Sequence, residues 1–497
     1  MSFVDKDLIS IQEARILMER ARDASHVMRS YPQETLDHMV ETLAAAAMEL
    51  VDELAVMSAE ETGYGKAEDK RVKNRFVCDQ LPAQLKDMKC VGILNEDTEK
   101  KTLKIGVPIG VIVALTPAAS PVSTAIYNIL IAVKSGNPIV IVPHERAVKV
   151  TEILFERLKE AGSACGLLEG AIGCLKTVTK AGSLELIRHF AAAMVVNTGV
   201  LELNKQAAEC GKPYIYGGTG NGPVFIERTA NVSQAVKDII VSRTFDNGMA
   251  AGAEQYVVAD RQIASQVKTE MGKNGAYFMT EEEEKKLIDL LCLEQGKADA
   301  EIMGRPALEL AKRAGFTVPK QTSVLVSQQK YISERNPFAR ELLCPVLVFY
   351  IEEDWMHACE KCIDLLMNES HGHTVIIHSR DEAVIRQFAL KKPVGRILVN
   401  TPGALGSMGM TTNLFPAMTL GSITAGAGIT ADNVSPMNFI YIRTAGYGVR
   451  EADEFLKADQ WNPDQVANVD ETMKERQDAK ELFQQILKEL SEQLTKN

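Results

Sequence analysis

The chain has 497 residues, of which 46% are hydrophobic and 24% charged, a balance typical of folded globular proteins with room for two or three units. Its 55 basic and 66 acidic residues leave a net charge of -11, which offers no electrostatic reason to bind nucleic acid or an acidic membrane surface. Nine cysteines, an odd number at scattered spacings, fit a reducing compartment better than a disulfide framework.

The first residues, Met1-Ser2-Phe3-Val4-Asp5-Lys6-Asp7, have neither a basic n-region nor an apolar h-region, so an export signal is not expected. Ile11, Ala14, Met18 and Ala21 recur at helical spacing over residues 9–30. Pro32 starts a second helix whose apolar stripe is Leu36, Met39, Val40, Leu43 and Ala47. From Ile105 short β-rich runs alternate with helical segments. Val111-Ile112-Val113-Ala114 precedes Thr116-Pro117, a helix covers about residues 124–134, Ile139-Val140-Ile141-Val142 precedes Pro143, and another helix runs to about Ala161. That order argues for a parallel sheet covered on both faces. The most apolar stretch, residues 125–142, is interrupted by Asn128, Lys134 and Asn137 and is too polar to span a membrane.

A second alternating set contains Tyr256-Val257-Val258, residues 323–326, residues 345–350, Thr374-Val375-Ile376-Ile377 and Arg396-Ile397-Leu398-Val399. So many strands exceed one small sheet, so two α/β domains are expected, with a boundary near residue 235. Cys359 and Cys362 form a CxxC in a helical stretch, and with no second ligand pair at zinc spacing they read as packed or surface thiols rather than a metal or redox site. After Gly403 the chain is rich in Gly, Ser, Thr and Met up to Asn433, as expected of loops returning across the domain junction. A polar linker follows Arg450, and then a helix with Ala479, Leu482, Phe483, Ile486, Leu487, Leu490 and Leu494 on one stripe.

Several of these segments carry a family likeness. Phe245-Asp246-Asn247-Gly248, followed by Glu254-Gln255, resembles the nucleophile loop F-D-N-G-x-x-C-A/S-S-E-Q of CoA-acylating aldehyde dehydrogenases, especially the acetaldehyde type found with bacterial microcompartments. Residues 60–65, Pro121 with residues 123–127, residues 341–345, Gly372-His373-Thr374, residues 399–402 and Thr419-Leu420-Gly421 extend the likeness over about residues 1–450. The resemblance implies an α/β aldehyde dehydrogenase fold. Its parts would be a Rossmann-like cofactor domain at 1–235 with a return segment at about 405–435, a catalytic α/β domain at 236–404, an oligomerisation segment, and a linker with an amphipathic helix at 451–497. It also implies the reaction: aldehyde, CoA and NAD or NADP give acyl-CoA through a thioester on the enzyme cysteine.

Counting from both ends of the motif places Ala251 at that cysteine, and a methyl group cannot attack an aldehyde. The main-chain N–H at 251 survives such a change and could still serve an oxyanion. The resemblance puts Glu341 on the nicotinamide ribose. It puts Thr116, Pro117, His144, Thr198, Gly199, Gly217 and Gly218 beside the cofactor, and His373 near the CoA and active-site region, although a lone histidine is more often structural. Gly217 stands where hydrolytic relatives have a water-activating glutamate, which suits thiolysis by CoA. Ser120 replaces the Asn of T-P-x-x-N-P, Val200 a glycine beside the nicotinamide, Ala253 the serine after the nucleophile, and Glu145 the second proline of P-H-P-R. Val200 adds bulk where the backbone should approach the cofactor. Neither Cys344 nor Cys210 has a base or cation marked beside it as a replacement nucleophile.

Two readings of Ala251 follow: an engineered Cys-to-Ala change in an active dehydrogenase, or a natural non-catalytic paralogue that binds partners. The wider departures favour the second. The expected partners are a small aldehyde, CoA and further copies of the chain in a dimer or tetramer, with no nucleic acid and no membrane. The expected location is the cytoplasm or a microcompartment lumen. The C-terminal helix reads equally as a subunit-packing helix or as an encapsulation peptide for the shell.

Overall fold

Apolar positions at helical spacing produce not two but four helices at the start of the chain, Lys6–Met28, Gln33–Met48, Val51–Thr62 and Ala67–Leu85. The fourth is dense in charge, yet it buries Lys70, Lys73 and Asn74 alongside Phe76, Val77 and Leu81. This computed structural model describes residues 5–218, 220, 222–291, 302–333, 337–367, 372–423, 428–456, 474, 476–486 and 488.

Strands β1 (Gly92–Asp97) and β2 (Thr102–Pro108) lead into β3 (Val111–Leu115), β4 (Ile139–Val142), β5 (Ile172–Cys174), β6 (Ala192–Asn197) and β7 (Tyr214–Tyr216). The last five form a parallel sheet in the order β5-β4-β3-β6-β7, the arrangement of a Rossmann-like half. Side chains alternate along these strands. Ile112, Ala114, Ile139 and Ile141 pack on one face among residues of helix Pro121–Lys134, whose every residue is buried. Val111, Val113, Val140 and Val142 pack on the other with Ala14, Met18 and Ala21. Both faces are covered, so the strands read as continuous apolar runs.

Next come β8 (Gly222–Ile226), β9 (Glu254–Asp260), β10 (Ala276–Phe278), β11 (Val324–Gln328), β12 (Val346–Glu352), β13 (Thr374–His378) and β14 (Arg396–Val399). They form a seven-stranded parallel sheet in the order β10-β11-β12-β9-β8-β13-β14. It too is packed on both faces. The changeover between the two sheets therefore falls between Tyr216 and Gly222, earlier than the position near 235 expected from strand spacing. The shift arises because β8 pairs with β9 and β13, and only then does the chain enter helix Val232–Thr244. Strand β15 (Ile440–Gly446) completes a three-stranded sheet in the order β1-β2-β15.

The chain divides into a large unit, Met1–Leu94 with Lys104–Arg443, and a small one, Asn95–Leu103 with Thr444–Asn497. In the small unit the Tyr447 N–H donates to the Lys101 carbonyl at 3.0 Å. Residues 476–486 are helical and expose Leu482, Phe483 and Ile486, as the stripe anticipates; its Leu487, Leu490 and Leu494 lie outside the described residues. Among the described residues no helix is long and apolar enough to cross a membrane.

Candidate active site

An open parallel sheet leaves a crevice at the carboxyl ends of its strands where the strand order reverses. Here the reversal lies between β3 and β6. The first continues into Thr116-Pro117 and the second into Thr198-Gly199. A cavity of about 400 Å³ opens there, and Pro117, His144, Thr198, Gly199, Gly217, Gly218, Ala251 and Glu341 all line it. Thr116 does not: it is fully buried at the strand end, its N–H donating to the Val142 carbonyl at 3.0 Å. His373 does not either. It sits behind Gly218, where a Cβ would lie 3.2 Å from the His373 ring.

Backbone geometry shapes the walls. Gly199 (φ +75) and Gly218 (φ +62) occupy the left-handed region, and a Cβ at Gly199 would meet nothing within 4 Å, so that backbone faces open space. Val200 follows it into the cavity lining, held by Asn197, which accepts from the Val200 N–H at 2.8 Å and donates to its carbonyl at 2.9 Å. The Thr198 hydroxyl pairs with that of Thr419 at 2.8 Å.

Three titratable groups are tuned by burial. The His144 Nδ1 accepts from the Arg146 N–H at 3.1 Å, and burial lowers the imidazole below its usual range, so the neutral ring carries its proton on Nε2. The Glu341 carboxyl is pushed up to about 7 by burial, against a hydrogen bond from the Gly220 N–H at 2.5 Å and the charge of Arg243. His373 lies well below its usual range through burial and the charge of Arg396. Its Nδ1 pairs with the Thr374 hydroxyl at 2.7 Å, and its Nε2 has no partner among the described residues.

The loop that follows helix Val232–Thr244 is held in an unusual backbone. Asp246 (φ 50), Asn247 (φ 52) and Gly248 (φ 80) are left-handed in succession, a conformation that persists only when the surroundings over-determine it. Asp246 supplies the restraint. Its N–H donates to Asp69 at 2.7 Å, while its carboxylate accepts from the Lys66 N–H at 2.7 Å, from Lys73 at 2.6 Å and from Lys70 at 3.2 Å. Gly65 makes room, since a Cβ there would fall 1.9 Å from the carboxylate oxygen. Burial would push the Asp246 carboxyl up, but the charges of Lys73 and Lys70 and the hydrogen bonds from Lys73 and the Lys66 N–H outweigh it and hold the group below the usual carboxylate range. Burial in turn lowers Lys70 to about 8.

Gln255, four residues past Ala251, ties the second wall in place. Its Oε1 accepts from the Leu342 N–H at 2.7 Å, and its Nε2 donates to the carbonyls of Arg340 at 2.5 Å and Phe338 at 3.3 Å. The residue between these anchors is Glu341. Sequence reasoning assigned no role to Gln255, Lys70 or Lys73. The first is visible only as part of the loop motif, and the lysines look like the solvated face of a charged helix.

Ala251 itself is exposed to the cavity, and its N–H has no acceptor among the described residues. Gly220 is packed so closely that a Cβ would lie 1.8 Å from the Ala251 carbonyl. Across the cavity Lys73 donates to the Ser120 hydroxyl at 2.6 Å, leaving the Ser120 proton free for an acceptor in the cavity. Among the described residues no cysteine lines the cavity. Cys344 is buried with its thiol pushed up to about 11 by burial, and Cys210 lies elsewhere in the first α/β layer.

A model of the aldehyde dehydrogenase family matches residues 7–278. A crystal structure of a probable aldehyde dehydrogenase from Listeria monocytogenes is 42% identical, with a TM-score of 0.88 over 91% of this chain and 100% of that one. An acetylating aldehyde dehydrogenase from Geobacillus thermoglucosidasius is 38% identical, with a TM-score of 0.87 over 90% and 99%. The bifunctional aldehyde-alcohol dehydrogenase of Escherichia coli is 34% identical over 440 residues, which is 88% of this chain and 49% of that protein. The chain thus spans about half the length of that relative.

Replacing Asp246 by asparagine leaves two buried ammonium groups without their carboxylate and should destabilise the protein by about 3–5 kcal/mol in urea titrations near neutral pH. Because the folded carboxyl sits below its unfolded value, its contribution is present above the ordinary carboxylate range and lost as pH falls through the folded value. The gap between Asp246→Asn and the parent should therefore shrink in acid. A gap that stays constant or is absent would show that Asp246 does not neutralise the lysines.

Proposed function

The chain belongs to the aldehyde dehydrogenase family, and we propose that its cavity retains the binding half of the acylating reaction, recognising NAD(P) and CoA, without the covalent half. The observation that carries this reading is Ala251: a methyl group faces the cavity where the family pattern has cysteine, and among the described residues no thiol lines it. The acylating class is favoured by Gly217, which leaves no carboxylate to activate water, and by the likeness to the acetylating Geobacillus enzyme.

The residues present fit a dinucleotide. Glu341 offers a carboxylate to two ribose hydroxyls, the neutral His144 offers an N–H, and the bare backbone at Gly199 permits close approach. A bound nicotinamide would supply a two-electron acceptor. The protein's own contribution at the reacting carbonyl is the free Ala251 N–H and the Ser120 hydroxyl backed by Lys73, two donors suited to an oxygen that gains negative charge. Without a nucleophile at 251 they bind a carbonyl group but start no thioester.

The same reading makes the chain a non-catalytic subunit. The departures at Ser120, Val200 and Ala253 support a natural paralogue over a single engineered change. Its proposed partners are further copies of itself and, through the exposed Leu482, Phe483 and Ile486, a microcompartment shell. Its proposed location is the cytoplasm or that compartment's lumen.

With acetaldehyde, CoA and NAD(P)+, the unaltered chain should form no NAD(P)H above background, and Ala251→Cys should gain turnover measured by absorbance. Turnover by the unaltered chain would contradict the proposal, and a silent Ala251→Cys would show that the pocket has lost more than its thiol. Glu341 adds a pH signature. With its carboxyl at about 7, dinucleotide affinity should rise by up to about tenfold between about pH 6 and pH 8 as the carboxylate forms, and Glu341→Gln should flatten the profile. A pH-independent affinity in the parent would remove Glu341 from the ribose. Deleting residues 470–497 should abolish co-purification with shell proteins; unchanged recovery would remove the shell from the proposal.

A further inference from the structure

Every other buried lysine discussed above is neutralised by a carboxylate, but Lys392 is not. It follows helix Glu382–Leu390, is 9% exposed, and lies over the Phe388 ring at 3.8 Å from the centroid. Among the described residues its polar partners both belong to Cys359 in helix Trp355–Met367: the carbonyl at 3.1 Å and the sulfur at 2.6 Å. That separation is shorter than the usual N–H···O distance of about 2.9 Å, although sulfur is the larger atom. Cys359 is 3% exposed, so water does not compete for either group.

We propose that Cys359 and Lys392 form an oxidisable pair, which dioxygen converts to a covalent S–O–N bridge between helix Trp355–Met367 and the segment leading into β14. In the reaction the thiol loses its S–H hydrogen and the amine loses one N–H hydrogen. One oxygen atom is inserted to make an S–O and an O–N bond, and the other leaves with the two hydrogens as water. Sulfur and nitrogen give up two electrons each, and dioxygen takes all four. A small apolar oxidant suits the site, which lies in an apolar cluster with Leu365, Leu366 and Phe388.

The neighbouring Cys362 does not compete for Cys359. Residues three apart on a helix hold their Cβ atoms about 5–6 Å apart, beyond the roughly 3.5–4.5 Å that a disulfide needs. Burial also pushes the Cys362 thiol up to about 12, which keeps it protonated. The CxxC is thus two thiols with different surroundings, of which only Cys359 has an amine against its sulfur.

The full chain should be purified anaerobically and then equilibrated with air. Its intact mass should rise by one oxygen less two hydrogens, and a digest should yield the peptide containing Cys359 joined to the one containing Lys392. A thiol reductant should reverse both changes, and Cys359→Ser and Lys392→Met should each prevent them, while Cys362→Ser should not. Loss of two hydrogens alone, meaning a disulfide, or gain of oxygen without hydrogen loss, meaning a sulfenic acid, would overturn the proposal. So would an unchanged mass in the parent, a readout independent of how the variants fold.

Discussion

A single buried carboxylate holds the loop at residues 245–252 in shape. Asp246 sits in left-handed backbone that a non-glycine residue adopts reluctantly, and it is kept there by two lysines from helix Ala67–Leu85 and by two main-chain contacts. Removing water from three charges is costly unless each finds its partner, so the loop and the helix specify one another. Lys73 then extends the same network to Ser120 on the opposite wall of the cavity. The restraint that sets the loop also orients the donor facing it.

On the proposed reading, this dependence accounts for a loop that keeps its form with alanine at position 251. Nothing in the network touches the side chain at position 251. The path of the loop is set by Asp246, by Gly248 against the Cys344 backbone, and by Gly252 against Ser407 and Gly403. Beyond it, Glu254 accepts from the Gly403 N–H and Gln255 fixes the segment that carries Glu341. An alanine at 251 is therefore compatible with an intact framework around the cavity, as the proposed binding-without-catalysis reading requires.

Much of this was legible in the sequence, for identifiable reasons. Strands such as Ile139–Val142 and Arg396–Val399 announce themselves because they are short, β-rich and bounded by turns, and the glycines at 199, 217 and 218 sit at strand ends where ligands bind. Spacing does not show that the Thr116 N–H completes the ladder to Val142, which leaves Thr116 behind the cavity rather than in its lining. The Gly-His-Thr motif suggests a place for His373 near the site, and its ring lies behind Gly218. The burial of Lys70 and Lys73 depends on a carboxylate some 170 residues away in the chain, which no local pattern reveals. Strand β8 carries no sequence signal of which sheet it joins.

The central claim is that recognition outlives catalysis in this cavity. Calorimetric titration of NAD(P)+ into the unaltered chain tests it most directly. The account predicts saturable binding at one site per chain, abolished by filling the open backbone at Gly199 with a bulky side chain. Absence of any dinucleotide binding to the folded, unaltered protein would contradict it.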